Sequence, residues 1–125
     1  MWFNDFPEQC PPLDARKDKL EVFRLVSNSP PTADDFLPTI KESPHRNFSD
    51  ENMCIACGVS VFKNIDDILR RREDFKPLKD KKVAYGTIMP DDGVVKETGK
   101  PSHITWWLQT KEPHKTFSEV KNDTK

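Results

Sequence analysis

The sequence predicts an α+β domain, a small and mainly antiparallel sheet with two or three short helices packed on one face. Three observations carry that expectation. Strand-forming and helix-forming runs interleave through the first two thirds, and the last third holds three strand-like runs separated by turn-forming clusters. The length of 125 residues allows one ordinary core. With 34% apolar residues against 33% charged, and eleven prolines against four glycines, that core must be confined to part of the chain.

Residues 1–19 read as an extended, Pro-rich arm, because Pro7, Pro11 and Pro12 remove backbone donors and favour extended neighbours. Trp2, Phe3 and Phe6 are unusual in such an arm and point to docking on the domain or on a partner. A single domain over residues 20–110 follows. Leu20 to Val26 is a strand, rich in β-formers and closed by Asn28-Ser29-Pro30-Pro31. Thr32 and Asp35 are spaced as a capping box, but Pro38 allows little more than one turn of helix, and 38–48 reads as a polar loop. Ser49 caps a better helix, with Phe48 and Met53 placed as its hydrophobic staple and Gly58 expected to end it in a left-handed conformation. Val59 to Phe62 is a short strand. Asn64 caps a third helix, where Ile65, Ile68 and Leu69 share a face until Pro77. Lys82 to Ile88, Val94 to Glu97 and His103 to Gln109 are expected to make a three-strand meander. Residues 111–125 are charged and polar and read as a flexible tail.

Composition excludes several classes. No window approaches the roughly 18–20 apolar residues of a membrane span, and the N-terminus lacks a signal-peptide pattern. Membrane attachment is therefore not expected, and the chain is placed in the cytoplasm. The odd cysteine count, with Cys54 and Cys57 too close to staple a fold, fits a reduced compartment better than a disulfide framework. The net charge of -1 is uneven, with six Lys/Arg against ten Asp/Glu in residues 1–62 and fourteen against eleven in 63–125. Arg70, Arg71, Arg72 and Lys76 form a local basic patch, a solvated helix end or a contact for nucleic acid; the sequence pI of about 6.3 lies far from that of a dedicated nucleic-acid binder.

Candidate site residues come from four places. Cys54-x-x-Cys57 has the spacing of half a zinc site or a redox pair, but no second half exists, and a helix C-terminus disfavours thiolates; two small packing residues is the economical reading, with no metal and no cofactor expected. On a strand, His103, Thr105 and Trp107 face one way and Ile104, Trp106 and Leu108 the other. The second set is core, and the first makes a wall of imidazole, hydroxyl and indole suited to a ligand. Arg24 lies on an apolar strand face, where its fork needs a carboxylate, phosphate or carbonyl. Ser60 follows Gly58, but a strand follows it where a hydrolase nucleophile elbow needs a helix. The glycine patterns of phosphate-binding and dinucleotide-binding loops are absent.

Gly58-Val59-Ser60-Val61-Phe62 with His103-x-Thr105-Trp106-Trp107, preceded by Phe23-Arg24-Leu25-Val26, resembles a pattern in small bacterial proteins of unassigned function, over about residues 20–109. Arg24 and Ser60 are also similar in placement to the first two site residues of NAD-dependent ADP-ribosyltransferases, whose Ser-Thr-Ser stretch and Glu-x-Glu turn are missing here, with Glu97 and Glu112 as loose substitutes. Two functions follow as expectations. The first is a non-catalytic protein-interaction or accessory domain of a larger bacterial assembly, docking through the aromatic arm and through His103, Thr105 and Trp107. The second, implied by the resemblance, is a small NAD-using or toxin-like enzyme built around Arg24, Ser60 and His103. Convergence of those three on one concavity would favour the enzyme, and an apolar patch without convergent polar groups the interaction domain.

Overall fold

Alternation of apolar residues makes Leu20–Val26 the strand β1, and its two faces bury different partners because the sheet is covered on both sides. The computed structural model of the chain describes residues 6–99 and 102–120. Among these, six strands form one sheet: β1, β2 (Val59–Phe62), β3 (Lys82–Ile88), β4 (Gly93–Gly99), β5 (His103–Leu108) and the two-residue β6 (Ser118–Glu119). Their order is β4-β5-β2-β1-β3-β6, and every pairing is antiparallel. The helices are α1 (Thr39–Glu42), α2 (Asp50–Ala56) and α3 (Ile65–Asp74), with short 3₁₀ turns between elements. The α+β class is as the sequence predicts. No helix among the described residues is long and apolar enough to cross a membrane.

One face of the sheet carries the larger core. Val22, Val26, Val59, Val61, Ile104 and Trp106 pack there with Phe36 from the 3₁₀ turn Ala33–Phe36 and with Phe117. The opposite face receives α3: Ile68 is 1% exposed and packs with Phe62 and Val83, flanked by Phe23, Leu25, Ile65 and Leu69. Asn64 caps α3 as its position predicts, its side chain accepting from the Asp66 amide at 2.8 Å. The Thr32/Asp35 pair also closes its turn, with the Thr32 amide donating to Asp35 Oδ2 at 2.9 Å.

Four expectations are corrected. The last three strands are not a meander: β4 and β5 pair, but β3 lies on the far side of β1 and pairs with it over seven positions. Sheet order is set by backbone pairing, which joins consecutive strands in most but not all cases, and here the seven-position ladder to β1 takes β3. Gly58 is not left-handed; Gly93 is the described glycine with positive φ, at 139°. What Gly58 supplies is room, because a Cβ there would overlap the Thr105 methyl group. The cysteines are not all reduced: Cys10 and Cys54 form a disulfide across 44 residues of sequence, and Cys57 is a buried thiol. That bond ties the arm to α2 and removes the cysteine argument for a reduced compartment. Residues 111–125 are not wholly a polar tail, since Phe117 is 6% exposed in the larger core and β6 extends the sheet.

The arm is anchored a second time where Arg16 and Val95 exchange backbone hydrogen bonds of 3.0 and 2.9 Å. Phe6 is half-buried. Trp2 and Phe3 lie outside the described residues, as do 121–125.

Candidate functional site

The site begins at a fault in the sheet. β1 and β2 are neighbours, yet Phe23 and Phe62 are their single paired position, whereas β2 and β5 pair at four. Arg24 fills the place of the missing ladder. Its Nη1 donates to the Ser60 carbonyl at 2.6 Å and its Nε to the Asp35 carbonyl at 2.8 Å, while Nη2 donates to Glu42 Oε2 at 2.8 Å and more weakly to the Leu37 carbonyl at 3.4 Å. The residue is 4% exposed. Burial lowers the guanidinium pKa, and the charges of Glu42 and Asp35 act in the opposite direction. Arg24 therefore holds β1, β2, the 3₁₀ turn and α1 together, and its fork is already engaged by carbonyls and a carboxylate.

On β2, Ser60 sits directly opposite Thr105, and Phe62 opposite His103, so these side chains share the face of the sheet that α3 covers. Ser60 Oγ and His103 Nε2 are 2.5 Å apart. On the other side of the ring, His103 Nδ1 lies 2.8 Å from Thr98 Oγ1, which is itself 2.6 Å from Thr105 Oγ1. The distances fit either tautomer of the ring; in the one that leaves Nε2 bare, the Ser60 hydroxyl donates to Nε2, Nδ1–H donates to Thr98, and Thr98 donates to Thr105. Burial, and then the nearby Arg71 charge, lower the His103 pKa from its ordinary 6.5, which favours the neutral ring. Phe62 meets the imidazole edge-on, with centroids 5.3 Å apart.

These groups open into a cavity of about 680 Å3 walled by α1, the following loop, α2, α3 and the segment before β3. Arg24, Ser60, Thr98 and His103 all line it, so the three residues of the enzyme expectation share one concavity. Its charge is lopsided. Arg46, Arg71 and Lys81 join Arg24, against Glu42 as the one carboxylate among the described lining residues. Arg46 stacks over Phe48 at 4.7 Å, which places a ring and a cation side by side on the loop wall.

The other candidates fall elsewhere. Thr105 and Trp107 are 1% and 0% exposed. Thr105 serves the hydroxyl chain, and Trp107 packs beneath α2, its Nε1 donating to the Cys54 carbonyl at 2.8 Å. Together with Gly58, which lets Thr105 close in, Trp107 seats α2 on β5. The basic segment divides: Arg71 lies over the Phe75 ring at 4.8 Å, Arg72 donates to the Lys81 carbonyl at 3.1 Å, Arg70 lines a second cavity, and Lys76 is exposed in the turn after α3.

Thr98 belongs to the hydroxyl–imidazole chain without any sequence pattern that singles it out. A β-bulge between Glu97 and Gly99 makes Gly99, rather than Thr98, the partner of His103, which leaves the Thr98 hydroxyl between His103 and Thr105. The Thr-Gly pair is the available signal, and as a turn cluster it gives no hint of that aim. Glu42 and Arg46 are missed for a similar reason, lying in a stretch that reads as a polar loop. Searches against protein-family models, curated proteins and solved structures return no match to this chain.

Proposed function

We propose that the chain is a small enzyme that transfers a group from an anionic small-molecule ester, with Ser60 as nucleophile and His103 as its general base. The observation that carries this reading is the 2.5 Å contact of Ser60 Oγ with the buttressed His103 Nε2 inside a cationic cavity. The cations favour a phosphoryl centre, since they would offset charge on its equatorial oxygens. As the Ser60 Oγ–phosphorus bond forms and the ester phosphorus–oxygen bond breaks, Nε2 takes the hydroxyl proton and passes it to the leaving oxygen. Water then attacks the phosphorus, giving a proton to Nε2 as its oxygen–phosphorus bond forms and the Ser60 Oγ–phosphorus bond breaks, and Nε2 returns that proton to Oγ. Arg24 acts as a positioning residue through the Ser60 carbonyl.

The competing picture of an interaction domain expects an apolar patch without convergent polar groups, and the cavity instead gathers a hydroxyl, an imidazole and several cations. An alkyl fluorophosphonate, followed by intact-mass and peptide mapping, tests the proposal. Labelling is expected at Ser60 alone, absent in Ser60→Ala and slower by roughly a hundredfold in His103→Gln. Equal labelling of wild type and His103→Gln, or labelling that bypasses Ser60, overturns it.

A further inference from the structure

A second cavity, of about 390 Å3, adjoins the first, and Phe62, Arg71 and His103 line both. The imidazole therefore stands at a junction. The two chambers differ in charge. In the second, Asp67 and Asp74 balance Arg70 and Arg71, and Phe62 and Phe75 supply rings. The first has its excess of cations. Phe75 is 47% exposed, a large ring left on the rim with Arg71 over it. A phosphate placed in the second chamber would meet two carboxylates, one of them already accepting from Ser102 Oγ at 2.8 Å. In the first it meets Arg46, Arg71 and Lys81. An aromatic group has the opposite preference, gaining contact with Phe62 and Phe75 where no excess charge needs solvation.

We propose that the two chambers form one bipartite site for a phosphate ester carrying an aromatic or heteroaromatic ring, with phosphate in the first chamber and ring in the second. Arg71 spans the junction. This deepens the reading of Ser60 and His103 as the reacting pair and rests on it, because the ester bond of such a ligand would lie beside His103.

Titration calorimetry of the full chain carrying Ser60→Ala, which lacks the proposed nucleophile, with phenyl phosphate, AMP and inorganic phosphate tests the division. One or both esters are expected to bind at least roughly fivefold more tightly than inorganic phosphate, the scale of one favourable ring contact. A gain for AMP alone identifies a nucleotide as the source of the ring, and a gain for both a general aryl preference; either supports the site. Phe75→Ala should erase the ester advantage, whereas Arg46→Gln should weaken all three. Inorganic phosphate binding as tightly as both esters, an undiminished ester advantage in Phe75→Ala, or no binding by either ester at millimolar concentration overturns the inference. Fluorophosphonate labelling separates the two failures. Ser60 labelled without an ester advantage sinks the bipartite site alone, and an ester advantage with Ser60 unlabelled sinks the reaction.

Discussion

Replacing Arg24 by Met removes the group that bridges the fault between β1 and β2 while keeping an unbranched side chain in the buried space. Two short bonds to main-chain carbonyls are lost, to Ser60 at 2.6 Å and Asp35 at 2.8 Å, and the weaker contact to Leu37 with them. A buried acceptor left without a donor costs about 1–3 kcal/mol. Losing two, offset by no longer burying a guanidinium and by Met packing, gives a net loss of about 3 kcal/mol. Glu42 is a different matter. Its side chain is 38% exposed, so water solvates it in Arg24→Met, whereas Glu42→Gln keeps an oxygen acceptor for Nη2 but removes the counter-charge of a buried guanidinium, and should cost about 1–2 kcal/mol. Urea unfolding with linear extrapolation gives both numbers, and the double variant gives their coupling. A loss below about 1 kcal/mol for Arg24→Met would show that the carbonyls find other donors. Equal losses for the two single variants would show that the ion pair holds the arginine, and the argument from the missing ladder would be wrong.

Three further outcomes follow from other parts of the fold. Replacing Cys10 and Cys54 together by Ser reopens a loop of 44 residues, for which chain entropy predicts about 4 kcal/mol of lost stability; a thermal melt unchanged from wild type would refute the cross-link as a support of α2. His103 has a folded pKa below its ordinary 6.5, so the unfolded chain binds the extra proton first. Stability should then be constant above that value and fall as pH drops below it, a slope that His103→Gln should reduce and whose persistence in that variant would count against the assignment. Gly58→Ala should cost about 1–3 kcal/mol by forcing its new methyl against the Thr105 methyl, and Thr105→Ser should recover part of it; no recovery in the paired variant would place the strain elsewhere.

What could be read from the sequence divides along a physical line. β1, β2, α3 and the two faces of β5 follow from local periodicity and capping, which a single chain displays directly. The parity of β5 correctly separates Ile104, Trp106 and Leu108 from His103, Thr105 and Trp107, since side-chain alternation needs no knowledge of the neighbour. The neighbour itself is a long-range property. Nothing in Lys82–Ile88 announces that it pairs with β1 instead of β4, and nothing in Cys10 announces Cys54. Thr98 escapes for a subtler reason, because a bulge changes the aim of one side chain without changing the composition of its strand.

Arg24 shows how far a local signal reaches when it is costly. An arginine on an apolar strand face demands compensation, and the demand is visible without knowing what meets it. The sequence leaves open a carboxylate, a phosphate or a carbonyl, and the fold uses the first and the last. That choice has a consequence for the site. With its donors committed to the frame, Arg24 can serve the proposed ligand only by holding the Ser60 backbone, and the proposed anion would meet Arg46, Arg71 and Lys81, which line the cavity. The same interruption of the ladder that makes Arg24 necessary sits beside the strand that carries Ser60 to His103. Arg24 and Ser60 meet at that interruption through the Ser60 carbonyl, so Arg24→Met is expected to slow Ser60 labelling, and unchanged labelling would show that the β2–β5 pairing alone places the hydroxyl.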